Sequence, residues 1–291
     1  MNRSVLSPID RQRPTVRWWL RVVNALLLVV LVIVGLGPLL WLAKSAISTT
    51  QDTLRSPMSL WPSGFDVENL VTAWSDAQIG KYFFNTVKIA TGAWFAQVIV
   101  AVTGGFVLGV LRPWYARVLT GAVLVTLFVP PVVLLVPLFL TALDLPIFGV
   151  SLLNSYWAIW LPAGASAFNV VLVKRFMENL PTEIIEAARV DGAGPVRLLW
   201  SIVLPLSKPV IGVVSVFAVL LTWKDYLWPL VVLPDPSIQP LSVRLPLVRD
   251  TLQLDVFLAA LAISMVLPIG LFIVFRRYFI GGDEMSGAIK G

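Results

Sequence analysis

Residues 22–43 carry no charged side chain. A helix rises about 1.5 Å per residue, so some 20 apolar residues cross the roughly 30 Å hydrocarbon core of a bilayer. Five further runs are largely apolar over similar lengths: 83–111, 118–141, 152–175, 209–233 and 256–275. The expected fold class is all-α, a polytopic membrane protein with six transmembrane helices. Composition agrees. The chain is 58% hydrophobic with 13% charged residues, where soluble proteins carry about 25% charged residues. The first run is too long for a signal-peptide core and lacks a small-residue cleavage site, so no cleavable signal is expected.

Prolines fall inside the runs. Pro130, Pro131 and Pro137 predict a kink in the third, and Pro38, Pro162, Pro229 and Pro268 interrupt others. Such breaks are tolerated where neighbouring helices or a cavity satisfy the freed carbonyls.

Lysine and arginine placement predicts orientation. With both termini in the cytoplasm, the inner side holds Arg3, Arg11, Arg13, Arg17, Arg21, Arg112, Arg117, Lys174, Arg175, Arg189, Arg197, Lys208, Arg276, Arg277 and Lys290. The outer side holds only Lys44, Arg55, Lys81, Arg244 and Arg249, and Lys88 and Lys224 fall in spans. The net charge of +6 therefore reports topology, and no nucleic-acid partner is expected. There is no cysteine and no histidine. Thiolate chemistry, disulfides, His-ligated metal and a His-based triad are excluded.

The loop between the fourth and fifth runs is long and patterned. Pro181 and Thr182 suit a helix start, Glu183 suits the positive end of the dipole, and Gly192 and Gly194 end the helix. Ile184, Ile185 and Ala188 are expected on one face. Pro195 opens a second helix with Leu198, Leu199, Ile202 and Val203 in one stripe. Alanines give a slim face that another backbone can approach, and Glu186 and Asp191 offer charge to a partner. Two readings follow: a plug that inserts into a cytoplasmic partner, or an interfacial amphipathic loop with none.

Glu186-Ala187-Ala188, Gly192, Ile202 and Leu204-Pro205 stand at the spacing of the EAA signature of permease subunits. In this the chain resembles the permeases of binding-protein-dependent ABC importers. Asn85–Val87 resembles the start of that family's core domain, and Val136–Phe139, Leu152–Pro162, Asp225–Leu233 and the Gly287–Gly291 ending resemble carbohydrate-type systems, in particular the six-span second permease of maltose-type importers. The resemblance implies a division into a cytoplasmic N-terminal tail (1–21), a first transmembrane helix (22–43) and an external loop (44–82). A permease core (83–275) with its EAA loop (178–208) and a cytoplasmic tail (276–291) complete it. It implies as partners a second homologous permease, two ATPase subunits, an external solute-binding protein and the lipid bilayer of a bacterial plasma membrane.

The chain has no G-x-x-x-x-G-K-[ST] loop, so it is expected to bind no cofactor and to be no enzyme. ATP and Mg belong to the partner ATPases. By the resemblance, Glu186, Ala187, Ala188 and Gly192 take the coupling role. Arg189 and Asp191 flank them, and Ile202, Leu204 and Pro205 complete the motif.

Lys224 stands where the family commonly has a neutral polar residue. A central lysine costs about 2.5–3.5 kcal/mol on insertion scales. Either Lys224 or Asp225 lines the solute path or contacts the partner permease, or Lys224 snorkels to the interface and pairs there. Asn85, Trp223 and Tyr226 join them as candidate path residues, though Trp and Tyr also build interfacial belts. The expected cargo is a sugar, oligosaccharide or polyol. The alternatives are a glycerol-phosphate-type anion, which an extra cation would suit, and a membrane scaffold that transports nothing. An intramembrane enzyme lacks the necessary residues.

Overall fold

The computed structural model describes residues 13–280, with side chains through Phe275. Arg3, Arg11, Lys290 and the Gly287–Gly291 ending lie outside the described residues, as do the side chains of Arg276 and Arg277. Among the described residues the structure is helical, with one isolated bridge between Leu145 and Val150. Three helices are long and apolar enough to cross a membrane, and up to six spans result if each bent helix pair is one span.

One compact unit comprises residues up to Ala73 together with Leu252–Ile263. Its α1, Pro14–Ala46, extends beyond the expected 22–43 at both ends, with Pro14 at its first position. No residue of its most apolar window is buried, and a helix apolar on every face with no protein cover is one solvated by lipid. The segment after it, read as an external loop, is folded. Thr49 caps α2 (Thr50–Arg55) by accepting the Asp52 N–H. Lys44 pairs with Asp52 at 3.6 Å, both side chains under 10% exposed. Asn69, in α3 (Glu68–Ser75), donates to the Ser48 carbonyl at 3.0 Å. Thr50 and Asp255 exchange two hydrogen bonds, at 3.2 and 3.3 Å. These polar contacts over long sequence separations order a stretch that has no apolar periodicity to announce it.

The second unit, Trp74–Thr251 with Ser264 onward, is organised on α4, Ile79–Phe106, which continues through a π-turn at Val107–Leu111. Arg112 ends it in a left-handed conformation and donates its N–H to the Val107 carbonyl at 3.0 Å. Then come α5 (Ala116–Thr126) and α6 (Leu135–Leu143). The kink expected in the third run is a 99° bend between these two segments, placed just before Pro131, which starts a short 3-10 turn. The fourth run is α7 (Trp157–Gly164) and α8 (Ala167–Glu178), bent by 41°. Pro162 lies one turn before that break and removes a backbone donor there.

Next come α9 (Thr182–Val190), α10 (Pro195–Leu198), a π-turn at Leu199–Val203 and α11 (Leu204–Leu206). The chain turns through 80° at Ser207 into α12, Lys208–Lys224. The expected fifth span is broken: α12 stops at Lys224, Asp225 is extended, and α13 occupies only Leu227–Val232. Pro229 sits in the first turn of α13, where a missing N–H costs nothing. After α14 (Leu241–Val248), α15 runs from Leu254 to Ile280 with Pro268 inside it.

The two ends of α4 are held differently. At its start, Ile89 packs with Ala158, Ile159, Val232 and Leu233. At its end, Ala101, Val102 and Phe106 pack with Val173 and Met177 of α8, Ile185 and Ala188 of α9, Leu198, and Val210 and Val214 of α12. Gly105 permits the closest approach there, since a Cβ would lie 2.7 Å from Val173 and 3.0 Å from the backbone of Lys174.

Candidate coupling surface and solute cavity

Helix α9 starts at Thr182 with Glu183 in its first turn, as the sequence indicated. Its end explains why glycine stands four residues after the second alanine. Gly192 has φ +77°, a left-handed value that only glycine adopts without strain. Its N–H donates to the Arg189 carbonyl at 3.0 Å, and the Ala193 N–H reaches back to the Ala188 carbonyl at 2.9 Å. This pair of bonds is the Schellman stop, which satisfies the last carbonyls of the helix. Gly194 then leads into α10, whose first turn Leu198 closes by donating to the Gly194 carbonyl at 2.9 Å.

Burial divides the motif in two. Ile185 and Ala188 face inward, while Glu186, Ala187, Arg189, Asp191 and Gly192 are exposed. Ile184 is exposed, against the expectation that it shares the buried face. Consecutive residues on a helix point about 100° apart, so a stripe anchored by Ile185 and Ala188 leaves Ile184 outside. Leu198 and Val203 are buried, Ile202 and Leu204 half-buried, and Pro205 exposed at the corner. Ala188, Ile202 and Leu204 therefore seat the loop on the permease body.

Among the described residues, no ion pair involves Glu186, Arg189 or Asp191. Around them stand Val190, Val196 and Trp200, each more than 60% exposed. The sequence reading passed over these three, although their mismatch with the buried stripe was available as a signal.

The candidate path residues separate. Asn85 is 5% exposed. Its Nδ2 donates to the carbonyls of Ser237 (2.9 Å) and Gln239 (3.1 Å), and its Oδ1 accepts the Tyr156 hydroxyl at 3.1 Å. Both its N–H groups hold the 237–239 loop and its oxygen holds Tyr156, so it acts as a latch. Trp223 packs edge-on against Phe83, with centroids 5.9 Å apart. Lys224 and Tyr226 are exposed.

Of the five, Asp225 lines a cavity of about 350 Å³, shared with Gln97, Thr222, Pro162, Leu221 and Trp228. Its carboxyl lies near the backbone N–H of Trp228 at the start of α13. The amide of Gln97, passed over in the sequence, accepts from Asn169 Nδ2 at 2.8 Å in a buried pair. A lone amide within a long apolar run was its signal. Asp225 is the only ionisable residue in the cavity wall.

Residues 101–280 match the model of the family described as "Binding-protein-dependent transport system inner membrane component". The chain belongs to that family. It is an inner-membrane permease subunit of an ABC importer, a pore component rather than an enzyme. It is 28% identical to a probable ABC transporter permease protein, YurM, of Bacillus subtilis, covering 97% of this chain and 93% of that one. It is 29% identical to the diacetylchitobiose uptake system permease protein NgcG of Streptomyces coelicolor (91% and 87% covered). It is 26% identical to the sn-glycerol-3-phosphate transport system permease protein UgpE of Agrobacterium fabrum (90% and 95% covered). A chain of a bacterial ABC transporter involved in the import of the acidic polysaccharide alginate superposes with a TM-score of 0.80 at 24% identity, covering 95% of this chain and 99% of that one. That likeness concerns the fold.

Proposed function

We propose that this subunit pairs with a second homologous permease to pass a sugar, oligosaccharide or polyol delivered by an external solute-binding protein. Two ATPase subunits drive the cycle through α9, with both termini and the EAA loop on the cytoplasmic side. The observation that carries this reading is the division of the EAA helix. Ile185 and Ala188 fix it to the permease core, and Glu186, Ala187, Arg189 and Asp191 present an exposed surface that the chain itself does not pair. A partner that docks differently in two states biases the permease between them only through such a surface. No ATP or Mg is bound by this chain in this scheme.

The cavity supports a neutral cargo. Its one ionisable residue is the carboxylate of Asp225, which repels a phosphate or a uronate, and Lys224 is not in the wall. Hydroxyl groups suit the Thr222, Gln97 and Asp225 acceptors, and Trp228 offers a flat apolar face of the kind sugar rings cover. The relative named for diacetylchitobiose agrees with this reading. The relative named for glycerol-3-phosphate is the reason an anionic cargo is the second reading.

The chain has no cysteine, so Ala187→Cys creates a unique attachment point. Cross-linking from position 187 is expected to capture the ATPase in membranes. Capture of nothing but lipid would sink the coupling role. Uptake of labelled neutral disaccharides against glycerol 3-phosphate by the assembled importer decides the cargo.

A further inference from the structure

Between the end of α4 and the start of α5 lies a second cavity, about 750 Å³, away from the EAA surface and from the Asp225 cavity. Arg112, Arg117 and Lys174 stand in its wall with one acid, Glu178. Glu178 is already satisfied: Lys174 Nζ lies 2.6 Å from one of its oxygens, and Arg175 is 3.6 Å from the other. The guanidinium groups of Arg112 and Arg117 are left without an ion pair among the described residues. Arg112 is not free to swing away. Its backbone is fixed at φ 48° and its Nε donates to the Gly109 carbonyl at 2.7 Å, so the outer guanidinium nitrogens are aimed while remaining unpaired.

The rest of the site is apolar. Leu108 and Leu124 line the same cavity, and a Cβ added to Gly121 would meet nothing within 4 Å. Trp114 at its rim is 91% exposed, with Tyr115 and Val118 exposed beside it. Exposed aromatics next to arginines at the junction of two apolar helices describe the level of lipid headgroups.

We propose that this cavity binds an anionic phospholipid. The phosphate would lie between Arg112 and Arg117, and an acyl chain would run along Leu108, Gly121 and Leu124. Basic pockets between transmembrane helices take such headgroups. A soluble anion would gain nothing from the apolar floor, and an acidic protein surface would not enter it. The site is independent of which solute is carried and of how the ATPases dock.

The test is native mass spectrometry of the purified full-length chain after delipidation, titrated with phosphatidylglycerol, phosphatidylcholine or inorganic phosphate. Phosphatidylglycerol is expected to be retained in preference to phosphatidylcholine. Arg112→Gln with Arg117→Gln should weaken that retention roughly 25-fold, at about fivefold per arginine, while the paired Arg→Lys variant keeps most of it. Gly121→Leu leaves both arginines in place and should also lower retention, by filling the groove. Equal retention of the two lipids, a preference unchanged in the double Gln variant, or phosphatidylglycerol retention unchanged in Gly121→Leu overturns the proposal. Displacement of the lipid by millimolar inorganic phosphate would assign the arginines to a free anion and overturn the lipid as well.

Discussion

The two ends of α4 solve the same packing problem with different forces. At the Asn85 end, directional hydrogen bonds dominate. Asn85 holds Ser237, Gln239 and Tyr156, and the Thr86 hydroxyl accepts the Leu241 N–H at 2.8 Å. At the Gly105 end, the contacts beneath α9 are apolar, from Ala101 and Gly105 to Phe106 and Met177, and among the described residues no such latch joins them. Hydrogen bonds fix one register, because a shifted donor in a buried site is left unsatisfied. Apolar faces carry no donor to strand, so a second arrangement costs less. In the proposed coupling scheme, the end that carries the exposed EAA surface is the one expected to move, and the latched end is expected to hold position.

The sharpest break of this contrast is Gly192→Pro. Proline cannot reach φ +77° and has no N–H for the Arg189 carbonyl. Uptake should fall to background while the amount of protein in the membrane is maintained. Normal uptake would mean that the Schellman stop has no part in coupling.

Asn85→Leu comes next. It removes three hydrogen bonds at once and leaves two buried carbonyls short of a partner, for a loss of about 2–3 kcal/mol, read as thermal stability in detergent. Gly105→Val adds bulk where a Cβ already lies 2.7 Å from Val173, and overpacking costs about 1–3 kcal/mol. If the Gly105 end is the moving one, this variant should lose transport out of proportion to its stability, whereas Asn85→Leu should lose both together. Equal proportions in the two variants would erase the distinction.

The smallest effect concerns the loop held by Asn85. The Ser237 backbone N–H and hydroxyl hold the Asp235 carboxyl below the usual carboxylate range. A depressed folded-state pKa contributes stability above the unfolded value of about 4, lost as pH falls through the folded value. Asp235→Asn should flatten that acid limb, measured as thermal stability between about pH 5 and 3. An acid limb left unchanged would show that the contact does not report on the latch.

Much of the EAA end was legible in the sequence. Pro181, Thr182 and Glu183 mark the start of α9, and Gly192 to Pro195 mark its stop, because capping chemistry is local. Ile184 was misplaced because two adjacent isoleucines stand about 100° apart, so one of them falls at the edge of the face, and nothing local says which turns inward. The latched end was not legible. The partners of Asn85 lie about 70 and 150 residues away, so its amide was as compatible with a solute path as with a loop. The break at Asp225 was hidden for a related reason. Apolar residues continue on both sides of it, and hydropathy does not register a change of direction. Polar groups within apolar runs were visible as anomalies; which of them face a cavity is decided by neighbours far away in the chain.

The 80° corner at Ser207 has a mechanical consequence. Residues 195–206 form an arm about 18 Å long at 1.5 Å per residue, set nearly square to α12. Such an arm is a crank. A displacement of about 3 Å at its tip turns α12 through roughly 10° for this arm length, and the axis about which α12 turns leads to Asp225 and the cavity wall. Ser207 is fully buried, and its N–H donates to the carbonyls of both Val203 and Leu204, which makes the elbow stiff. In the proposed coupling scheme, a small stroke at the arm would become a change of angle at the Asp225 end of α12 without any helix having to stretch.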